Sequence, residues 1–139
     1  MIKLRLIAVA AISTALLACA KDSPASPATH VAFGEWGGDK IQILASDTVT
    51  DVTDGCTGGT FAGNVRLDAT GGFVVDGRWM PYFVPSSGSE IMPAQMSGHV
   101  SGNTITFAVA VYDTARKVVI SIPPATATFG RHANLVVCP

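Results

Sequence analysis

The stretch Ala94-Gln95-Met96-Ser97-Gly98-His99-Val100-Ser101-Gly102-Asn103-Thr104-Ile105-Thr106-Phe107-Ala108-Val109 decides the fold class. Met96, Gly98 and Val100 alternate with Gln95, Ser97 and His99 up to Gly102-Asn103, a two-residue hairpin signal. Pairing around that turn sets Val100 opposite Ile105, Gly98 opposite Phe107 and Met96 opposite Val109, all on one face. His99 with Thr106 and Ser97 with Ala108 fall on the other, wet face. Downstream, a turn at Thr114-Ala115 keeps the same face inside: Val111 meets Val118, Val109 meets Ile120, Phe107 meets Ile122, and Asp113 reaches Arg116. A one-residue slip would expose this face, so the two turns specify one register class.

Upstream, Ala69-Thr70-Gly71 suits a three-residue hairpin loop that pairs Leu67 with Phe73 and Val65 with Val75. Phe61, Val65, Leu67, Phe73, Val75 and Trp79 then point inward, and Asn64, Arg66, Asp68, Asp76 and Arg78 face water. Ile41 to Ser46 and Thr48 to Asp54 form a first hairpin whose register stays open, because Val49 and Val52 have opposite parity. Pro123-Pro124 ends the strand after Ile122, and Ala125 to Phe129 with Asn134 to Cys138 make a closing pair. About eight or nine short antiparallel strands at regular spacing predict an all-β domain, a small meander barrel or, as the alternative, a β-sandwich. The barrel is favoured, because sequential hairpins sharing one apolar face must close that face on itself.

The N-terminus carries a different signal. Lys3 and Arg5 precede the apolar run Leu6 to Ala18, which ends in Leu16-Leu17-Ala18-Cys19. This resembles the lipobox of bacterial lipoproteins, whose signal peptide is cut before the Cys and whose Cys sulfur carries a diacylglycerol with acyl chains such as palmitate. The resemblance implies a signal peptide over 1–18, lipidation at Cys19, and a membrane anchor in a bacterial cell envelope, at the outer membrane or periplasmic face in a diderm. An ordinary secretory signal cut at another small residue is the alternative; the run is shorter than the ~20 apolar residues a spanning helix needs.

If Cys19 takes the lipid, Cys56 and Cys138 are the remaining two of three cysteines, and in an oxidising compartment a disulfide is their default fate. A metal site using both thiols lacks any Cys-x-x-Cys or His at ligand spacing. Between the anchor and the β domain at 31–139, Lys21-Asp22-Ser23-Pro24-Ala25-Ser26-Pro27-Ala28-Thr29-His30 has little apolar surface and reads, with Cys19 and Ala20, as a flexible tether over 19–30. At ~3.3 Å per residue it reaches at most about 35 Å.

Composition restricts the partners. Removing Lys3 and Arg5 with the signal leaves 7 of the 9 Lys+Arg against 10 Asp+Glu, a formal charge of −3 in place of −1. That balance gives no electrostatic footprint for nucleic acid. No Gly-x-Ser-x-Gly, Ser-x-x-Lys, His-Glu-x-x-His or phosphate-binding glycine loop occurs, so no catalytic residue and no cofactor are assigned. His30, His99 and His132 are far apart, and Asp47-x-x-x-Asp51-x-x-Asp54-Gly55 lacks the spacing and final acceptor of a Ca²⁺ loop, so no metal site is expected. Asp68 and Asp76 share the wet face with Arg66 and Arg78 as ordinary surface charge pairs.

One segment invites a binding role. Met80 to Pro93 is long for a hairpin connection and apolar, and its Tyr82, Phe83, Ile91 and Met92, with Trp36 and Trp79, outline a candidate binding surface or a plug for one barrel end. Trp36-Gly37-Gly38-Asp39-Lys40-Ile41, Cys56-Thr57-Gly58-Gly59 and the terminal Cys138 are similar to a group of small, uncharacterised exported bacterial β proteins, a likeness covering most of 34–138 that implies no activity. Gly-Trp near the first strand also resembles lipocalin-like barrels. Two functional expectations follow: a non-enzymatic anchored module with a structural role or an envelope protein partner, and, as the alternative, a carrier of a small apolar ligand.

Overall fold

The computed structural model describes residues 27–81 and 90–138. The signal segment 1–18, Cys19, Tyr82 and Phe83 lie outside the described residues. Eight strands follow in chain order: β1 (Gly34–Gly37), β2 (Ile41–Ala45), β3 (Val49–Asp54), β4 (Thr57–Ala62), β5 (Gly72–Met80), β6 (Met92–Ser101), β7 (Thr104–Asp113) and β8 (Val118–Phe129). Each pairs antiparallel with the next, and β8 returns to β1, so the fold is a closed meander barrel.

β6 and β7 pair as the Gly102-Asn103 turn dictates, with Val100 on Ile105, Gly98 on Phe107 and Met96 on Val109. The next turn is wider than a Thr114-Ala115 loop. Asp113 pairs with Val118 across a loop of four residues, Thr114 to Lys117, so Val111 meets Ile120 and Val109 meets Ile122. The buried Asp113 carboxylate holds this turn by accepting the Arg116 backbone N–H at 2.8 Å and facing its guanidinium at 3.7 Å, and Lys117 completes it with a φ of 57°. A displacement of two residues leaves every side chain on its expected face.

Pro123-Pro124 does not end the strand. Between the pairs Val109–Ile122 and Phe107–Ala125, β8 carries one extra residue, and this bulge leaves both prolines out of the ladder. Consequently 125–129 belongs to β8, and Asn134 to Cys138 form no closing strand with it. The last residues instead lie beside the β1–β2 connection, where the Lys40 N–H donates to the Asn134 carbonyl and the Asn134 N–H to the Gly38 carbonyl. They end at the β3–β4 turn in the Cys56–Cys138 disulfide.

The Ala69-Thr70-Gly71 hairpin is also corrected. β4 stops at Ala62 and pairs Phe61 with Gly77 and Gly59 with Trp79, so Leu67–Phe73 and Val65–Val75 pairs do not form. Val65 to Leu67 turn to the N-terminal segment, taking the Val31 N–H on the Val65 carbonyl and giving the Leu67 N–H to Thr29. Asp68 closes the remaining turn, its Oδ1 accepting the Thr70 and Gly72 N–H groups. Because Thr29 and His30 pair with Leu67 and Arg66, structured chain begins within the segment read as tether. The inward set survives these changes: Phe61, Val65, Phe73 and Trp79 are buried, with Leu67 and Val75 packed against them. The open register of the first hairpin resolves to Ile43 opposite Val52, with Thr50 and Val52 inside.

The interior is packed by rings laid over glycines. Trp79 pairs with Gly59, Phe61 with Gly77 and Phe73 with Gly98. A methyl on these glycines would fall 2.6 Å from Trp79 Cε3, 2.5 Å from Phe61 Cδ1 and 2.8 Å from Phe73 Cζ respectively. Each ring therefore occupies the volume that its cross-strand neighbour's side chain would have filled, the large-and-small alternation by which small barrels close without a void. Trp36, Ile43, Met96, Val109 and Val111 complete the core, each such side chain stabilising by roughly 1.5–3 kcal/mol when fully buried.

Candidate functional site

The missing side chain at Gly58 shapes the outer surface as much as Gly59 shapes the interior. Val52, Gly59 and Trp79 form one cross-strand row, with Val52 and Trp79 in the core, so the adjacent row of Thr53, Gly58 and Met80 faces out. With no side chain at its centre, that row leaves a groove of about 570 Å³ across β3, β4 and β5. Asp51 and Thr53 form one wall, Arg78 and Met80 the other, and the Cys56–Cys138 bridge and Ile91 stand at its end. A methyl at Gly58 would lie 2.6 Å from the Val52 carbonyl oxygen, so the strand itself requires glycine here.

The groove's charged groups are Asp51 and Arg78. Asp51 Oδ1 accepts the Thr60 hydroxyl at 2.9 Å, whereas Arg78 makes no ion pair with any described residue. The surface pairing expected between Arg66 or Arg78 and Asp68 or Asp76 does not occur: Asp68 holds its own turn, and Asp76 accepts from Gln95. Near the turn, partial burial pushes the Asp54 carboxyl above its ordinary pKa, against the opposing pull of Lys40. The Gln42 amide, with help from His132, holds Glu35 below the usual carboxylate range.

The structure separates the residues that the sequence grouped. Trp36, Trp79 and Met92 are core, at 1%, 0% and 4% exposure, and are not available as an open surface. Trp36 donates its indole N–H to the Ala32 carbonyl at 3.0 Å. Met92 pairs with Trp79 across β5 and β6 inside the barrel, and the adjoining Ile91, 64% exposed, lines the groove, so these three of the six are brought together. Tyr82 and Phe83 lie outside the described residues. The histidines are spread over the barrel: His30 bridges Arg66, His99 contacts the Thr70 carbonyl and His132 contacts Glu35. Among the described residues no three His, Cys, Asp or Glu side chains come together as metal ligands. Gly58 and Arg78, which make the groove, were visible only within the Cys56-Thr57-Gly58-Gly59 likeness and as a surface charge.

No family model, curated protein or solved structure matches the chain.

Proposed function

We propose that the chain is a lipid-anchored module of a bacterial cell envelope, attached at Cys19, that acts by contact with another envelope component rather than by catalysis. The observation that carries this reading is the packed interior: rings laid over glycines occupy the barrel, leaving contact to the outer surface. The Cys56–Cys138 bridge supports it, since a disulfide of this kind suits an exported protein. Substituting Cys19→Ala is expected to move the protein from the membrane fraction to the soluble fraction and to abolish lipid labelling. Continued labelling of that variant would overturn the anchor.

A second reading has its own observation. The outer groove of about 570 Å³, with Ile91 and Met80 beside Arg78, has the size of a small-molecule site, so a carrier would hold its apolar ligand there and not inside the barrel. Native mass spectrometry of the full chain separates the two readings. The contact module gives the mass of the covalently lipidated chain alone, and a stoichiometric non-covalent small molecule favours the carrier.

A further inference from the structure

The seam that closes the barrel is short among the described residues. β8 pairs with β1 at Thr128 and Phe129 alone, so among the described residues the edge of β8 from Val118 to Ile122 has no backbone partner on the side away from β7. Among the described residues, apolar cover is incomplete at the same place. Ile120 and Ile122 point inward yet are only half-buried, although their β7 partners Val111 and Val109 are 0% and 2% exposed. Unpaired N–H and C=O groups along an edge are complementary to another extended backbone, and the uncovered isoleucines call for apolar residues on it.

We propose that this edge is a homodimer contact, in which β8 pairs antiparallel with β8 of a second copy about Ile120. The free stretch is its own complement. Lys117 bounds it at the turn and Pro123, which has no N–H, bounds it at the bulge, so its midpoint is Ile120. Antiparallel pairing about that midpoint sets Val118 opposite Ile122 of the other copy and Val119 opposite Ser121, matching apolar with apolar on the inner face. It also carries the Arg116-Lys117 cations of the two copies to opposite ends of the contact, whereas parallel pairing would place them side by side. A contact of this length falls below the ~1,200 Å² of a stable soluble interface, and confinement of tethered copies to one membrane plane raises their effective concentration enough to populate it. In that respect the proposal rests on the anchoring reading.

Directly opposed residues in such a pair have Cα atoms about 4.5–5.5 Å apart, within disulfide range. Full-length Ile120→Cys, reconstituted in phosphatidylethanolamine and phosphatidylglycerol vesicles and mildly oxidised, is expected to give at least about tenfold more covalent dimer than Val74→Cys on the outer face of β5. Val118→Cys, about 14 Å from its own copy at ~3.4 Å per residue, should stay with that control. Because Ile120 is half-buried, a second measurement uses exposed positions: Val119→Cys and Ser121→Cys should cross-link when co-reconstituted and not when either is alone. Dimer yields equal to the Val74→Cys level in both measurements overturn the proposal. Flotation of the same vesicles reads the anchor separately; if the chain does not float, the anchoring reading fails, and the same cross-link ratios in concentrated solution decide the edge.

Discussion

The two halves of the barrel are held by different means. β5 to β8 are strands of 9 to 12 residues, and each continues its neighbour's ladder over most of its length. β1 to β4 are only 4 to 6 residues long and carry glycines at 34, 37, 58 and 59. What the short strands lack in ladder they receive from distant chain. The Thr29–Val31 segment seals Val65 to Leu67, the C-terminal residues bond to Gly38 and Lys40, and Cys138 is tied to Cys56. A long hairpin ladder is stabilised by residues close in sequence, whereas the short half depends on ties between its ends and its middle, whose high sequence separation costs more loop-closure entropy.

Cutting the strongest of those ties should have the largest effect. The bridge spans a sequence separation of 82, for which the chain-entropy model gives a contribution of about 4–5 kcal/mol. Replacing Cys56 and Cys138 together by Ser is therefore expected to lower unfolding free energy by several kcal/mol in denaturant titration. Amide exchange sharpens the comparison: protection should fall most in β1 to β4 and the Gly38–Lys40 connection, and least in β6 and β7. Uniform loss across all eight strands would show that the halves unfold as one unit.

The same contrast governs what the sequence could reveal. In β6 and β7, alternation and the Gly102-Asn103 turn fix every cross-strand pair, because partner residues are near neighbours in the chain. The β7–β8 register slips by two since Asp113 caps a wider turn, an interaction that leaves parity intact and thus no trace in the hydrophobic pattern. Val65 to Leu67 have the alternation of a strand but find their partner some 36 residues earlier, at Thr29 to Val31, which local turn chemistry does not indicate. The disulfide was legible from the count of cysteines. The inward position of Trp79 followed from parity, but the groove did not, because it is made by the absence of a side chain at Gly58, and Trp36 and Met92 lay outside the strands whose parity the sequence set.

An intermediate effect is expected within the long half. Gly98→Ala places a methyl hard against the Thr106 carbonyl oxygen, as well as 2.8 Å from Phe73 Cζ and 2.9 Å from Phe107 Cα, and ladders on both sides of β6 leave little room for the strand to move. Overpacking of this kind costs about 1–3 kcal/mol. Trimming the ring with Phe73→Leu should relieve part of it, so the double variant is expected to be more stable than the sum of the two single losses predicts. Strict additivity would mean that the backbone contacts at Thr106 and Phe107, and not the ring, set the cost.

The smallest effect belongs to the short half and depends on pH. Asp54, the last residue of β3, is half-buried beside the bridged turn, and that burial raises its pKa in the folded state above the unfolded value, with Lys40 opposing. A carboxyl with a raised folded pKa binds more protons folded than unfolded, so its contribution becomes less favourable as pH rises from the unfolded value of about 3.9 through the folded one. Above that window the full desolvation penalty is present; below it both states are protonated and the penalty is absent. Asp54→Asn should therefore raise Tm modestly at pH 7, and its advantage over the parent should vanish near pH 3. Glu35 and Asp68 act with the opposite sign, since their hydrogen bonds lower the folded pKa and their stabilisation is lost on acidification. Both remain in the variant, so the parent and Asp54→Asn lose that common contribution together and the difference between their curves isolates Asp54. An advantage that grows on acidification would mean that the Lys40 attraction outweighs burial at this turn.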